Sequence, residues 1–130
     1  TQAAPVRVEV FVKEQGVPLA MEWDEFDAMA VHAVTFNGLG TALATGRLVM
    51  QAQGKGRIGR MAVTRVLRGS RLGREVLHAL LDEARRRGCG EVLLHAQLSA
   101  RDFYHRSGFT ARGEPFEEAS IPHIEMFKSL

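Results

Sequence analysis

The sequence predicts a single α/β domain of the α+β type, built on a mixed β-sheet with flanking helices. Two apolar strands, at about 31–36 and 41–50, flank the turn Asn37-Gly38-Leu39-Gly40, a pattern typical of an antiparallel hairpin. A strand ending near Val63, a long amphipathic helix and a short strand at 91–96 then follow in that order. This order predicts a parallel strand pair joined by a right-handed crossover. The 130 residues are 45% hydrophobic, enough for one compact core, and we expect no internal domain boundary.

The N-terminal part is predicted to be helical. A helix from Ala3 to Gln15 would bury Val6, Val10 and Phe11, and Gly16 would end it. An acidic connector over 21–27 would follow the helix. Because the sequence starts without Met and close to this helix-like segment, we expect a strand that belongs upstream to be missing.

The remaining elements follow from periodicity and turn residues. A polar loop over 51–56 leads to a strand at 57–63, and Gly88 ends the long helix. Ser99 and Asp102 resemble a capping box that opens a short helix through Tyr104, and strands are predicted at 109–112 and 122–127. The long helix should bury one broad apolar face at near-3.6 spacing, namely Leu72, Val76, Leu77, Leu80, Leu81 and Ala84.

Composition excludes several classes of protein. The formal net charge is only +2, which does not call for a nucleic-acid partner. Arg85-Arg86-Arg87 precedes Gly88 at the predicted helix end, where cations complement the helix dipole. The single Cys89 forms no internal disulfide, fits a reducing cytoplasmic setting and is interpreted as a small turn residue. No apolar run of about 18 residues supports membrane insertion, and no metal site is expected.

The segment Arg68-Gly69-Ser70-Arg71-Leu72-Gly73-Arg74 predicts an anion site. It joins a short apolar strand to the start of the long helix, where unpaired backbone N–H groups and the helix dipole favour negative charge. Three arginines surround the same turn, and guanidinium groups suit phosphate oxygens. The ligand predicted here is a phosphate ester or pyrophosphate, and the alternative is a solvated helix start.

A second glycine pattern is rejected. Gly54-Lys55-Gly56-Arg57-Ile58-Gly59 matches the dinucleotide-binding spacing literally. That motif works only where it follows a strand and opens a helix. Here it follows a polar loop and opens a strand, so we interpret it as a hairpin turn.

Two motifs together carry a family resemblance. The arginine turn and the later string Ala100-Arg101-Asp102-Phe103-Tyr104-His105-Arg106-Ser107-Gly108-Phe109 resemble the GNAT superfamily of acetyl-coenzyme A-dependent N-acyltransferases. Arg68, Gly69, Ser70, Leu72 and Gly73 fit its phosphate loop, whereas Arg71 occupies an inner glycine position. Five further segments look like the ElaA-like branch of this superfamily and extend the resemblance over nearly the whole chain, namely 11–18, 45–48, 58–63, 94–97 and 121–123.

The resemblance implies one GNAT domain over residues 1–130 and acetyl-CoA as cosubstrate. The cosubstrate would sit where the Met61–Val63 strand and the Glu91–Ala96 strand splay apart. Backbone groups near Met61 and Val63 would bind the pantetheine amides, and one N–H would stabilise the thioester oxyanion. The implied contact residues are Met61, Ala62, Val63, Arg68, Gly69, Ser70, Arg71, Leu72, Gly73, Arg74, Gln97, Ala100, Phe103 and Tyr104.

Tyr104 is the candidate general acid that the resemblance implies. A free tyrosine has a pKa of about 10, so it stays protonated and can donate to a developing thiolate. The alternative is an aromatic side chain that packs the short helix onto the sheet. Because no carboxylate lies on the 57–63 strand, the base would be a water chain or a histidine. His95 and His123 are the candidates, although a strand histidine is more often structural.

The acceptor is a small-molecule or peptide amine in this interpretation. Glu22, Asp24, Glu25 and Asp27 would form an acidic lip that attracts a cationic amine, or else a solvated loop. Two other functions compete with the transferase: a non-catalytic acyl-CoA sensor, and a nucleic-acid binder that uses the arginines. We expect no nucleic-acid or membrane partner, and a homodimer stays open.

Overall fold

The computed structural model describes residues 6–12, 17–23, 30–36, 42–63 and 72–130. These residues form eight strands and two α-helices. The strands are β1 (Val6–Val12), β2 (Val17–Trp23), β3 (Ala30–Phe36), β4 (Ala42–Gln51), β5 (Lys55–Val63), β6 (Glu91–Gln97), β7 (Thr110–Glu118) and β8 (Ile121–Ser129). The helices are α1 (Leu72–Arg86) and α2 (Arg101–Arg106).

All eight strands belong to one mixed sheet in the order β1-β2-β3-β4-β5-β6-β8-β7. Every neighbouring pair is antiparallel except β5 and β6, which are parallel. Helix α1 connects these two strands, because parallel neighbours need a crossover. The predicted class, a mostly antiparallel mixed sheet with one parallel central pair and flanking helices, is confirmed.

The N-terminal prediction was wrong. Residues 6–12 form a strand, not a helix, and β1 pairs with β2 from Val6↔Trp23 to Val12↔Val17. Residues 21–23, predicted as a connector, belong to β2. The segment VRVEVFV places a valine at every second position, and β-branched residues in a period of two favour a strand.

The central hairpin is confirmed. Strands β3 and β4 are antiparallel from Ala30↔Val49 to Phe36↔Ala42. Strand β5 begins at Lys55, two residues before the predicted start, because a 3-10 turn over Ala52–Gly54 needs only three residues of the polar segment. The glycine-rich stretch is therefore part of a turn and a strand, as interpreted from the sequence.

Helix α1 covers the sheet through the face predicted from its periodicity. All six predicted apolar positions are buried: Leu72, Val76, Leu77, Leu80, Leu81 and Ala84. The core continues into the strands through Leu48, Ile58 and Leu94. Gly88 ends the helix segment with a φ of 81°, a left-handed conformation that glycine adopts without strain.

The C-terminal elements depart from prediction in two details. Helix α2 has Ala100 at its N-cap with no side-chain cap bond, so the capping box predicted for Ser99 and Asp102 is wrong. The 3-10 turn Leu98–Ala100 runs directly into α2 and takes the place of a cap. Strand β7 extends beyond Arg112 to Glu118 because a register shift between Arg112 and Phe116 accommodates the intervening residues.

Candidate active site

The site begins where the two parallel strands part. Pairing of β5 with β6 runs only from Lys55↔Glu91 to Ile58↔Leu94. Beyond Ile58, β5 carries an extra residue against β4, with Thr45 opposite Ala62 and Arg47 opposite Gly59. Arg60 has a φ of 54° within this bulge, an uncommon conformation for a residue with a side chain. The result is an opening in the centre of the sheet, beside backbone that has no partner in β6.

A cleft of about 1260 Å³ occupies this opening. It reaches from the start of α1, at Gly73 and Arg74, to α2 and the β7–β8 hairpin. The predicted site residues that line it are Met61, Ala62, Gly73, Arg74, His95, Gln97, Ala100, Phe103, Tyr104 and His123. Residues up to 62 places apart in sequence, Met61 and His123, thus meet around one cavity.

The structure does not bring every predicted residue to the cleft. The side chain of Leu72 is fully buried in the core, so only its backbone could face a ligand. Of Val63, at the end of β5, the structure describes only the backbone. The predicted contacts Arg68, Gly69, Ser70 and Arg71 and the lip residues Asp24, Glu25 and Asp27 lie outside the described residues. Of Glu22, the structure describes only the backbone, in β2.

Tyr104 lies on α2 and lines the cleft, and its side chain is buried. Its ring makes edge contacts with Phe103, at a centroid distance of 5.0 Å, and with Phe109, at 6.0 Å. None of the described residues hydrogen-bonds to its hydroxyl. Burial raises the pKa of Tyr104 to about 12, because a charged phenolate is poorly solvated there. The hydroxyl therefore stays protonated and remains available as a donor.

His123 has one ring nitrogen fixed by the backbone. Its Nδ1 lies 2.7 Å from the carbonyl oxygen of Ile121, and a carbonyl can only accept, so Nδ1 carries the proton. In the neutral ring this leaves the lone pair on Nε2, which lies 3.7 Å from Oε2 of Glu118. A buried imidazole with a fixed tautomer and a lone pair near a carboxylate can accept a proton in the cleft.

His95 links that carboxylate to a guanidinium. Its Nδ1 lies 3.0 Å from Oε1 of Glu118 and 3.1 Å from Nη2 of Arg57. One nitrogen cannot donate to the carboxylate and accept from the guanidinium at once, so the protonation of His95 decides which contact forms. The hydrogen bond from His95 lowers the pKa of Glu118. Phe116 contacts both imidazoles, edge-on to His95 and stacked with His123.

Glu118 and four of the five cleft arginines were missed from the sequence, and Arg74 was predicted. Among the described lining residues, the charged ones are Glu118, Arg47, Arg57, Arg60, Arg74 and Arg106. The Nε atom of Arg47 is buried and has no hydrogen-bond partner among the described residues. A buried donor left unpaired costs about 1–3 kcal/mol, so a partner supplied by a ligand would stabilise it. The Gly46-Arg47 and Gly59-Arg60 pairs were visible as motif segments, but nothing local predicts their direction.

Cys89 and the three arginines near the end of α1 are not among the residues that line the cleft. Cys89 is buried, with Sγ 3.7 Å from Sδ of Met50, and burial raises the pKa of its thiol. Arg86 and Arg87 both bind the buried Glu83, and Arg85 pairs with Asp82. In the part of the chain that the structure describes, no three potential ligands cluster around a metal position, and no helix is long and apolar enough to cross a membrane.

A sheet that opens between two parallel central strands, next to a helix N-terminus and a buried tyrosine, has the features of an acyltransferase site. Residues 4–130 match the family model described as acetyltransferase (GNAT) domain. The chain therefore belongs to the GNAT acetyltransferase family. Its core fold is also that of an acyl-CoA N-acyltransferase from Pseudomonas aeruginosa, with a TM-score of 0.68, 32% identity, and coverage of 77% of this chain and 68% of that one.

Two further relatives agree. YjcF of Bacillus subtilis (strain 168), named an uncharacterized N-acetyltransferase, is 36% identical over 124 residues, which are 95% of this chain and 87% of YjcF. The structure of Escherichia coli ElaA matches with a TM-score of 0.69 at 26% identity, over 77% of this chain and 68% of that one. The resemblance to the GNAT superfamily and to its ElaA-like branch is confirmed.

Proposed function

We propose that this protein transfers an acetyl group from acetyl-CoA to a primary amine by direct attack. The observation that carries the proposal is the parting of β5 and β6 beyond Ile58 and Leu94, with Tyr104 and His123 lining the same cleft. An acetyl thioester supplies an activated acyl carbon and a sulfur leaving group. Family membership supports acyl transfer, and the choice of acetyl and of the acceptor is our proposal.

The residues present fit such a donor. The backbone of Met61, Ala62 and Val63 has no partner in β6, so it can bind the two amides of pantetheine as an added strand would. Peptide-like amides need such partners when they leave water. A backbone N–H in this segment stabilises the oxyanion. The diphosphate would bind at the start of α1, where Gly73 and Arg74 line the cleft and Arg68 to Arg71 precede the helix.

His123 is the proton acceptor in this proposal. An ammonium group first loses one proton to solvent, because only the neutral amine has the lone pair that attacks a carbonyl carbon. As the N–C bond forms, the nitrogen gives a second proton to Nε2 of His123, whose lone pair faces the cleft. Glu118, 3.7 Å away, stabilises the imidazolium that results. His95, the other candidate, positions Glu118 through its hydrogen bond.

Tyr104 acts on the leaving group. As the C–S bond breaks, the electron pair moves to sulfur, and the Tyr104 hydroxyl donates a hydrogen bond and then its proton to that sulfur. A pKa of about 12 keeps the donor protonated at every physiological pH. The phenolate is reprotonated through solvent in the cleft. The proton that the nitrogen gives to His123 as the N–C bond forms is therefore matched by the proton that the thiol gains.

The acceptor remains an amine of a small molecule or peptide, with no nucleic acid or membrane involved and a cytoplasmic location. The same proposal includes a single domain over residues 1–130 and the acidic lip of Glu22, Asp24, Glu25 and Asp27. The rival function is a non-catalytic acyl-CoA-binding sensor on the same fold. It predicts cofactor binding without turnover.

One experiment separates these functions. Acetyl-CoA is mixed with the protein and a panel of primary amines, and the release of free thiol is recorded together with the mass of each acceptor. The proposal expects thiol release that depends on the amine and matches acetylated product. Binding of coenzyme A with no product for any amine would favour the sensor. Binding to nucleic acid with a steep salt dependence would favour the other competing function, a nucleic-acid binder.

A further inference from the structure

Two arginines occupy the face of the sheet opposite α1. Gly46 faces the helix, because a Cβ on it would lie 2.9 Å from side-chain atoms of Val76 and Leu80. Arg47 is the next residue, and successive side chains of a strand point to opposite faces, so Arg47 lies on the other face. The same argument places Arg57 there, since its neighbours Gly56 and Ile58 are buried on the helix side.

The register makes Arg47 and Arg57 diagonal neighbours. Arg47 is opposite Gly59, and Arg57 is opposite Val49, two pairs further along the two strands. Diagonal neighbours of this kind are about 7–8 Å apart, within reach of long side chains. Both arginines line the cleft, and neither forms an ion pair with a described residue.

Gly59 leaves space between them. A Cβ built on Gly59 would meet no atom of the described residues within 4 Å, although Gly59 lies in the middle of the sheet and lines the cleft. An open position beside two guanidinium groups, one of them with a buried Nε that no described residue pairs, is a cradle for a planar anion. A carboxylate matches the fork of donors that a guanidinium presents.

The carboxylate of Glu118 lies close to Arg57. Nδ1 of His95 lies 3.1 Å from Arg57 and 3.0 Å from Glu118, so a guanidinium and a carboxylate flank one imidazole nitrogen. This arrangement can hold a molecule that carries an anion and a cation a few atoms apart. The cation would lie beside Glu118 and His123, where the proposed transfer removes a proton from an amine.

We infer that the acceptor is an amine that also carries a carboxylate, held by Arg47 and Arg57 over Gly59. This inference rests on the proposed function and narrows its substrate class to amino acids in the broad sense. Helix α1 packs against the other face of the sheet, and its first residues Gly73 and Arg74, the proposed diphosphate contacts, reach the same cleft. With Arg74 assigned to the diphosphate, Arg47 and Arg57 are the cleft arginines that the register places beside Gly59.

The test compares matched acceptors. β-Alanine, 4-aminobutyrate and an α-amino acid are each paired with the corresponding amide, and kcat/KM is measured by thiol release for the native protein and for Arg47→Gln. Because the ratio of variant to native cancels the intrinsic reactivity of each amine, it isolates the carboxylate contact. The expected result is a loss of roughly 10- to 100-fold for the acids and little change for the amides.

Three more variants sharpen the result. Arg47→Lys keeps the charge without the fork and should lose activity toward the acids to an intermediate degree. Gly59→Ala should raise KM for the acids, because its methyl group enters the cradle while touching no protein atom. Arg85→Gln, an arginine outside the cleft, is the matched control and should change neither class. Coenzyme A affinity, measured by calorimetry, should be equal in all of them.

The outcomes are decisive in each direction. Equal use of acids and amides by the native protein, or a parallel loss of both in Arg47→Gln, overturns the inference and leaves the transferase function standing. If no amine releases thiol, the proposed function fails, and calorimetry decides the inference. Binding of one of the acids to the coenzyme A-loaded protein that weakens in Arg47→Gln supports the anion site, and absent or unchanged binding overturns it.

Discussion

Oε2 of Glu118 lies 3.7 Å from Nε2 of His123, across a turn of only two residues. Ala119 and Ser120 have φ values of 52° and 62°, the double left-handed conformation that matches the twist of a two-residue hairpin. The turn therefore fixes the relative position of a carboxylate and an imidazole on β7 and β8. This hairpin, at the edge of the sheet, completes the polar side of a cleft that the parallel strands open.

Replacing His123 with asparagine tests the proton acceptor. Asn can still donate to the Ile121 carbonyl, so the hairpin should stay intact while the base is lost. Loss of a general base typically costs about a hundredfold or more, so the rate of acetyl transfer should fall by that order in His123→Asn. The measurement is single turnover with one amine. A native rate in the variant would remove His123 as the proton acceptor.

Tyr104→Phe tests the donor to sulfur. The ring contacts with Phe103 and Phe109 remain, so the fold and most coenzyme A affinity should be kept. Loss of a general acid typically costs about a hundredfold or more, and single-turnover measurement prevents product release from masking the step. A native rate in the Phe variant would reduce Tyr104 to a packing residue, and a parallel loss of thermal stability would point the same way.

Arg68→Gln tests the phosphate turn. Removal of one charged donor should weaken coenzyme A binding by about tenfold or more, as measured by calorimetry. Arg85→Gln is the control. Arg85 is exposed near the C-terminal end of α1, and among the described residues it bonds only Asp82, at 3.0 Å. Equal affinities of the two variants would remove Arg68 from the cofactor site.

Gly46→Ala should destabilise the fold. The added methyl group would lie 2.9 Å from both Val76 Cγ1 and Leu80 Cδ1, and overpacking of a core typically costs 1–3 kcal/mol. Urea unfolding provides the free energy of unfolding. Gly59→Ala is the control, because its methyl group meets no protein atom and should leave the unfolding midpoint nearly unchanged. Equal midpoints for both variants would contradict the close packing of β4 against α1.

His78 makes the protein less stable in acid. Burial, aided by the nearby Arg74 charge, lowers the pKa of His78 from its ordinary value of 6.5. The unfolded chain therefore takes up a proton first as pH falls below 6.5, and stability decreases until the folded pKa is passed, by at most about 1.4 kcal/mol per pH unit.

His78→Gln should flatten this acid dependence, since glutamine does not titrate and can still bond Ser107 Oγ, which lies 3.4 Å from His78 Nε2. Urea midpoints between pH 7.5 and 5 measure the effect. The same slope in both proteins would trace the acid sensitivity to other groups.

The sequence by itself determined the elements with strong periodicity. The apolar face of α1, the β3–β4 hairpin and the strand–helix–strand order could be predicted because local spacing and a crossover rule decide them. Sequence motifs predicted the family, Tyr104 as the candidate general acid, and the two histidines as candidate bases. The helix predicted for the N-terminal segment was wrong. The four alternating valines favour a strand, and this preference outweighs the Gly16 signal that was interpreted as a helix end.

The tertiary structure alone decided which charged groups meet. Glu118 faces His123 only through the hairpin turn, and its strand was not predicted beyond Arg112. Arg47 and Arg57 share a face because Arg47 pairs with Gly59 and Val49 pairs with Arg57 in a regular register of β4 and β5, and a shift of one residue would send a side chain to the other face. Side-chain direction in a sheet depends on register, and register is a property of pairing between distant segments.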